Sequence, residues 1–179
     1  DSVCAPKTMA NPSLPWFSSD TTYLCVVGGS AIVIFAFWIT PGLRVVLKPL
    51  QLVVIALHES GHATACILTC GKVAGIEVNP DEGGVTKMRG GVQYCTLPAG
   101  YIGSCIWGGL MLFLAKDNIG AQVVAGCLVA MLLAVLFWAD NWTLRFLILF
   151  FFGLIAGFWA LQILTAFEGL QYFIAFMGV

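Results

Sequence analysis

From residue 22 onward, long apolar stretches alternate with short polar breaks. The first stretch, Tyr23 to Thr40, has no charged residue in 18 positions, and longer stretches follow it. An α-helix rises about 1.5 Å per residue, so about 20 apolar residues cross the hydrocarbon core of a bilayer. The pattern predicts membrane helices near residues 22–40, 49–71, 92–115, 119–139 and 142–166, with a partial segment at 169–179.

Residues 72–91 follow a different pattern. Apolar residues alternate from Val73 to Val78, turn-forming residues occupy Asn79 to Gly84, and Val85 to Arg89 can return as a second strand. A period of two is typical of strands, and a cluster of Asn, Pro, Asp and Gly is typical of a turn. We therefore predict a small β-hairpin at the membrane surface. Its role is either that of a connecting loop or that of a strand edge onto which an unwound substrate is added.

The composition agrees with a membrane protein. Hydrophobic residues make up 60% of the chain and charged residues 9%, whereas a soluble domain has about 25% charged residues. The net charge of −1 gives no electrostatic basis for binding nucleic acid, and membrane lipid is the expected surrounding partner. We predict an all-α polytopic membrane protein with about five to six transmembrane helices. Such a protein is integral to the membrane and multi-pass. Residues 1–21 form a polar lead-in, and residues 22–179 form a single membrane domain.

The chemistry of the chain is concentrated in His58-Glu59-Ser60-Gly61-His62, which contains both histidines of the sequence. Residues four apart lie on one face of an α-helix, so His58 and His62 can bind one metal ion. Glu59 lies about 100° round the same turn, where its carboxylate can act as a general base on water. The alternative is a pair of buried histidines that are satisfied by hydrogen bonds. Ionisable groups at membrane depth are costly, which favours a functional role.

Small residues recur at every fourth position of two predicted helices. Gly100, Ser104 and Gly108 share one helix face, and Gly153 and Gly157 share another. Such faces let another helix backbone approach closely. In a larger membrane assembly, that other helix belongs to a neighbouring membrane subunit.

Several blocks of the sequence together resemble a known family. The blocks are H-E-S-G-H-A, L-T-C-G-K-V-x-G-I-E-V-N, E-G-G-V-T-K-M-R-G-G, L-P-A-G-Y-I-G-S-C-I-W-G and N-W-T-L-R, and they lie within residues 50–179. They resemble the site-2 protease type of intramembrane metallopeptidase, family M-50, in its B-like eukaryotic branch. The resemblance implies a zinc ion held by His58 and His62, with Glu59 as the catalytic base.

The resemblance also implies a substrate-binding position. Site-2 proteases have an A-G-P-x-x-N motif on the next core helix, where this chain has Ala99-Gly100-Tyr101-Ile102-Gly103-Ser104. Ser104 stands at the position of the Asn, so it is the candidate substrate-binding residue. Its spacing from Gly100 is also that of a helix-packing residue.

The third metal ligand is not identified by the sequence. A catalytic zinc normally has three protein ligands. Cys66 lies about 12 Å along the helix axis from His58, which is too far for one ion, and Asp140 falls at the end of a predicted helix. Phe167-Glu168-Gly169 resembles the L-D-G ligand motif of site-2 proteases, which makes Glu168 a candidate. In the related branch an aspartate-rich segment follows a stretch like the last residues here, so we expect the chain to end before that ligand.

Two functions are consistent with these observations. The first is a membrane-embedded zinc endopeptidase that cleaves transmembrane segments of other proteins, with Glu59 as the base. The second is a structural subunit of a larger membrane assembly, built on a peptidase-like fold with an unused site. A shared fold does not by itself establish activity.

Overall fold

The computed structural model describes residues 15–40, 42–81, 83–165 and 169–179, with side chains from residue 21 onward. This part of the chain forms six helices and one β-hairpin, so the all-α polytopic fold with a small hairpin after the motif helix is confirmed. The elements, in chain order, are α1 (Pro15–Ile39), α2 (Arg44–Leu68), β1 (Lys72–Asn79), β2 (Gly83–Arg89), α3 (Gln93–Leu114), α4 (Asn118–Phe137), α5 (Trp142–Thr165) and α6 (Gly169–Gly178).

Four of the described helices are long and apolar enough to cross a membrane: α1 from Thr21, α3, α4 and α5. The motif helix α2 has a similar length, 25 residues, but does not reach the same hydropathy. Its polar residues Gln51, His58, Glu59 and His62 lower the average. Of the predicted five to six membrane helices, four meet this measure of length and hydropathy, and α2 and the ten-residue α6 pack among them.

Two helices begin earlier than the apolar pattern predicts. The structure begins α1 at Pro15 rather than near residue 22, and proline is well tolerated in the first turn of a helix. It begins α2 at Arg44 rather than at Pro49, which lies inside the helix. Pro49 removes one backbone hydrogen bond near the helix start, and the buried Leu47 before it is part of the packed helix. The rest of the predicted lead-in, residues 1–14, lies outside the described residues.

The buried core lies mainly between α4, α5 and α6, with α2 and β1 against it. Its largest fully buried side chains include Leu128, Leu132, Ile148, Phe151, Ile155, Leu170 and Ile174. Helix α1 lies at the periphery, and Tyr23 is its buried side chain in the described part. The Tyr23 hydroxyl donates to the carbonyl oxygen of Leu112 in α3 over 2.5 Å. The packed unit therefore consists of α2 to α6 and the hairpin.

The hairpin pairs β1 with β2 in antiparallel register, from Lys72 opposite Arg89 to Asn79 opposite Gly83. It runs along most of α2. Near the turn, Asp81 forms an ion pair with Lys48 at 3.7 Å. At the open end, the backbone of Gly91 packs against Cys66. The hairpin therefore covers the motif in the middle of α2.

The connection between α4 and α5 holds the hairpin from the other side. The amide of Ile76 donates to the carbonyl of Trp138 over 2.6 Å, and the amide of Asp140 donates back to Ile76 over 3.0 Å. The side chain of Asn141 donates to the carbonyl of Val78 over 2.7 Å. These bonds occupy part of the outer edge of β1. Within the described residues, the outer edge of β2 has no strand partner.

Candidate metal centre

The site begins with a backbone contact between α2 and α3. A Cβ atom on Gly61 would overlap the carbonyl oxygen of Ala99, and a Cβ on Gly103 would lie 3.2 Å from the Cα of Gly61. Such short separations are possible because these residues have no side chains. Gly61 is the fourth residue of the motif, so the contact brings α3 directly over the two histidines.

The two imidazoles face each other across one turn of α2. Their Nε2 atoms are 3.1 Å apart. The Nδ1 atom of His62 donates a hydrogen bond to the carbonyl oxygen of Thr96 over 2.6 Å. Because a carbonyl can only accept, this bond places the proton of a neutral His62 on Nδ1 and leaves the lone pair on Nε2. A hydrogen bond of this kind commonly orients a metal-binding histidine.

The donor set and the surrounding space fit a zinc ion. Two nitrogen ligands in a tetrahedral zinc site are about 3.3 Å apart, close to the separation of the Nε2 atoms in His58 and His62. A Cβ on Gly100 would lie 2.5 Å from both Nε2 atoms, so the space in front of them depends on the missing side chain. A carboxylate oxygen of Glu59 lies within 4.8 Å of the two ring nitrogens, and together they form a possible metal-binding group.

Glu59 is buried, and its carboxylate is positioned by the hairpin. Its side chain is 6% exposed. The hydroxyl of Thr86 in β2 donates to its Oε2 over 2.6 Å. A Cβ on Gly84 would lie 2.6 Å from the Cγ and Oε1 of Glu59, so a glycine is required for β2 to come this close. Thr86 and Gly84 have no metal-site signature in the sequence, and only the fold brings them to Glu59.

An open cleft of about 320 Å³ leads to this group. One wall is β2 and the other is the first two turns of α3. The lining residues are Glu59, His62, Gly84, Val85, Thr86, Met88, Gln93, Thr96 and Leu97. An extended peptide that lies along β2 would therefore pass the carboxylate of Glu59.

A family model described as Peptidase M50B-like matches residues 27–179. The chain belongs to this family. No curated protein and no solved structure matches the chain. Membership agrees with the four apolar helices and places the chain among integral membrane metallopeptidase-like proteins.

The other sequence candidates of this Peptidase M50B-like chain that the structure describes are not part of the group. Ser104 donates its hydroxyl to the carbonyl of Gly100 over 3.1 Å, and it is not among the residues that line the cleft. The thiol of Cys66 packs beside Gly71. Glu168 lies outside the described residues. Among the described residues, the possible metal-binding group is His58, Glu59 and His62.

Asp140 belongs to a charge cluster on the hairpin. The Lys87 ammonium donates to Glu77 over 2.5 Å and to Asp140 over 3.1 Å. These two hydrogen bonds raise the pKa of Lys87 above its ordinary value, so the ammonium keeps its charge. The carboxylate of Asp140 therefore serves the contact between the hairpin and the α4–α5 connection.

One aromatic side chain at the site was not anticipated. Tyr101 stands where the site-2 protease motif has Pro, and its ring meets His58 edge to face with 4.6 Å between centroids. This contact limits the rotation of the His58 ring, which has no hydrogen bond to backbone within the described residues, whereas His62 has one to Thr96. The sequence pattern alone offers no signal for the contact, because it depends on how α3 lies over α2.

Proposed function

We propose that this Peptidase M50B-like chain is a membrane-embedded zinc endopeptidase that cleaves transmembrane segments of other proteins. The observation that carries the proposal is the pair of Nε2 atoms of His58 and His62, which face the space in front of Gly100. The buried carboxylate of Glu59 lies beside them. The family supports the same class of activity.

In this proposal His58 and His62 hold the zinc through Nε2, and Thr96 fixes the tautomer of His62. A zinc ion held there would supply Lewis-acid chemistry, which would polarise the scissile carbonyl and make the attacking water more acidic. Glu59 accepts the proton of the attacking water and donates it to the leaving amine. Catalytic zinc sites normally have a third protein ligand, and because Glu59 acts as the base in this proposal, that ligand has to come from outside the group of His58, Glu59 and His62.

The shape of the cleft supports an unwound substrate. The outer edge of β2 has no strand partner in the described residues, and its Val85 and Met88 side chains are exposed beside the cleft. A peptide in extended conformation can add to such an edge through backbone hydrogen bonds. The scissile bond then lies next to Glu59, because Thr86 of the same strand contacts that carboxylate. A helical substrate has its backbone groups already paired and must unwind first.

The test compares wild type with Glu59→Gln and with His58→Ala,His62→Ala, using purified protein and a panel of single transmembrane-helix peptides in bilayers. We expect about one zinc per chain in wild type and in Glu59→Gln, and loss of zinc in the double histidine variant. Glu59→Gln should slow cleavage by about 10²- to 10⁴-fold. The matched control is Glu77→Gln, which alters a partly exposed carboxylate that pairs with Lys87. Cleavage at the wild-type rate by Glu59→Gln contradicts the proposal.

The second candidate is a structural subunit of a larger membrane assembly. The observation that favours it is the open face of α5, where a Cβ on Gly153 or Gly157 would meet no described atom within 4 Å. Neighbouring membrane subunits commonly meet at small-residue faces of this kind. In this alternative the metal centre is not used for cleavage, and substitution of Glu59 has no functional effect.

A further inference from the structure

We propose that Thr86 is a positioning residue that keeps Glu59 a general base and prevents it from becoming a metal ligand. The inference rests on the proposed function, since it concerns the same zinc site. It starts from an ambiguity in the donor set. Two histidines and one glutamate are a known zinc ligand set, and a carboxylate oxygen of Glu59 lies within 4.8 Å of both ring nitrogens. Its surroundings in the fold therefore determine whether the carboxylate of Glu59 acts as a base or as a metal ligand.

The hydrogen bond from Thr86 determines the role of the Glu59 carboxylate. Its hydroxyl lies 2.6 Å from Oε2 of Glu59 and 3.1 Å from the backbone oxygen of the same residue. A threonine hydroxyl has one proton, and the shorter contact to the carboxylate receives it. A hydrogen bond from a hydroxyl to a carboxylate is charge-assisted and strong. It occupies a lone pair on Oε2 and fixes the rotamer of Glu59.

The second carboxylate oxygen faces the same strand. A Cβ on Gly84 would lie 2.6 Å from Oε1, so the backbone of β2 stands directly beside that oxygen. The hairpin therefore lies against both oxygens, because Thr86 donates to Oε2 and the backbone of Gly84 stands beside Oε1. Glu59 is also buried, so water competes weakly for the hydroxyl of Thr86. The strand that lines the substrate cleft thus also holds the base.

The proposal predicts a change in metal coordination when the hydroxyl is removed. Thr86→Val has the same shape without the hydroxyl, which frees Glu59 to bind the metal. Thr86→Ser keeps the hydroxyl and should behave as wild type. Thr64→Val is the matched control, because the Thr64 hydroxyl donates to the backbone of Ser60 within α2.

The experiment uses the full chain loaded with Co²⁺, whose visible absorption reports the number and type of ligands. We expect wild type, Thr86→Ser and Thr64→Val to share one spectrum at one Co²⁺ per chain. The band should shift in Thr86→Val, and it should return to the wild-type position in Glu59→Ala,Thr86→Val, which lacks the added ligand. With a cleaved peptide in hand, Thr86→Val should lose at least about tenfold in kcat with KM unchanged, since base catalysis is impaired.

The outcomes separate this inference from the proposed function. An unshifted band in Thr86→Val overturns the inference and leaves the zinc site intact. A band that stays shifted in the Glu59→Ala double variant also overturns it, because Glu59 is then not the added ligand. Absence of Co²⁺ binding in wild type overturns both. If Thr86→Val does not fold, Thr86→Ala takes its place with the same expected shift.

Discussion

At the scale of single residues, the candidate metal centre depends as much on a missing side chain as on the candidate ligands. His58 and His62 would be available on any α2 helix, but the space in front of their Nε2 atoms exists because residue 100 is glycine. A methyl group there would lie 2.5 Å from both nitrogens. Carbon atoms in contact normally stay about 3.5–4.0 Å from their neighbours, so the methyl group would occupy the place of a metal ion.

We therefore expect Gly100→Ala to lose zinc while the other helices stay folded. The measurement is the zinc content of purified protein by elemental analysis, together with the thermal unfolding midpoint. The control is Gly109→Ala on the same helix, where an added Cβ would meet no described atom within 4 Å. That variant should keep full zinc content and gain slightly in helix stability. One zinc per chain in Gly100→Ala would show that the metal lies elsewhere.

The residue scale also shows what the sequence could predict. His58 and His62 are four residues apart, so their spacing alone predicts a shared helix face, and Glu59 follows His58 in the same turn. Thr86 and Thr96 contact them from 27 and 34 positions away in the chain. Threonine and glycine occur in many roles, and nothing in a single sequence distinguishes one that faces a metal centre. These contacts depend on packing between elements, which a local pattern does not contain.

At the scale of elements, the hairpin has to be held rigidly if it positions the base. Asn141 supplies much of this support. Its amide nitrogen donates to the carbonyl of Val78 over 2.7 Å and to the side chain of Asn79 over 3.0 Å. Its amide oxygen accepts from the backbone amide of Leu144 over 3.3 Å, at the start of α5. One side chain therefore ties β1 to a transmembrane helix.

Asn141→Ala should loosen the hairpin. It leaves the buried backbone of Val78 without its side-chain partner, which costs about 1–3 kcal/mol. Hydrogen exchange of the β1 amides measures the effect directly. The control is Lys87→Met, which removes two exposed ion pairs on the neighbouring strand and should have a smaller effect. Equal protection of β1 in wild type and Asn141→Ala would mean that the bonds to Trp138 and Asp140 are sufficient.

The hairpin also shows the limit of prediction at this scale. Alternating residues and a turn cluster predicted both strands, and the antiparallel pairing confirms them. The pattern did not predict that the hairpin lies along α2, because the contacts with Lys48 and Cys66 come from packing. The pattern also places the start of α2 at residue 49, whereas the helix begins at Arg44 with Pro49 inside it. One missing hydrogen bond was outweighed by the packing of the turn before it.

At the scale of the whole molecule, some small-residue faces are filled within the chain and others are open. Gly100 faces the histidines, and Gly108 lies near the carbonyl of Gly178, so the small face of α3 is covered by α2 and α6. These contacts within the chain use the small face of α3, and binding of a neighbouring subunit to this face stays a prediction. On α5, Gly153 and Gly157 meet no described atom within 4 Å. A substitution on this face of α5 can therefore distinguish the two proposed functions.

Gly153→Leu tests the two functions against each other. If the chain acts as a peptidase, the substitution places an apolar side chain into lipid, and zinc content, unfolding midpoint and association state should all stay unchanged. Gly61→Ala is the contrasting variant, because it acts inside the chain. Its methyl group would overlap Ala99 and should separate α2 from α3. Cross-linking in native membranes and light scattering in detergent measure association. Loss of association in Gly153→Leu with zinc retained would favour the assembly subunit. The added side chain would then have clashed with a partner helix packed against α5.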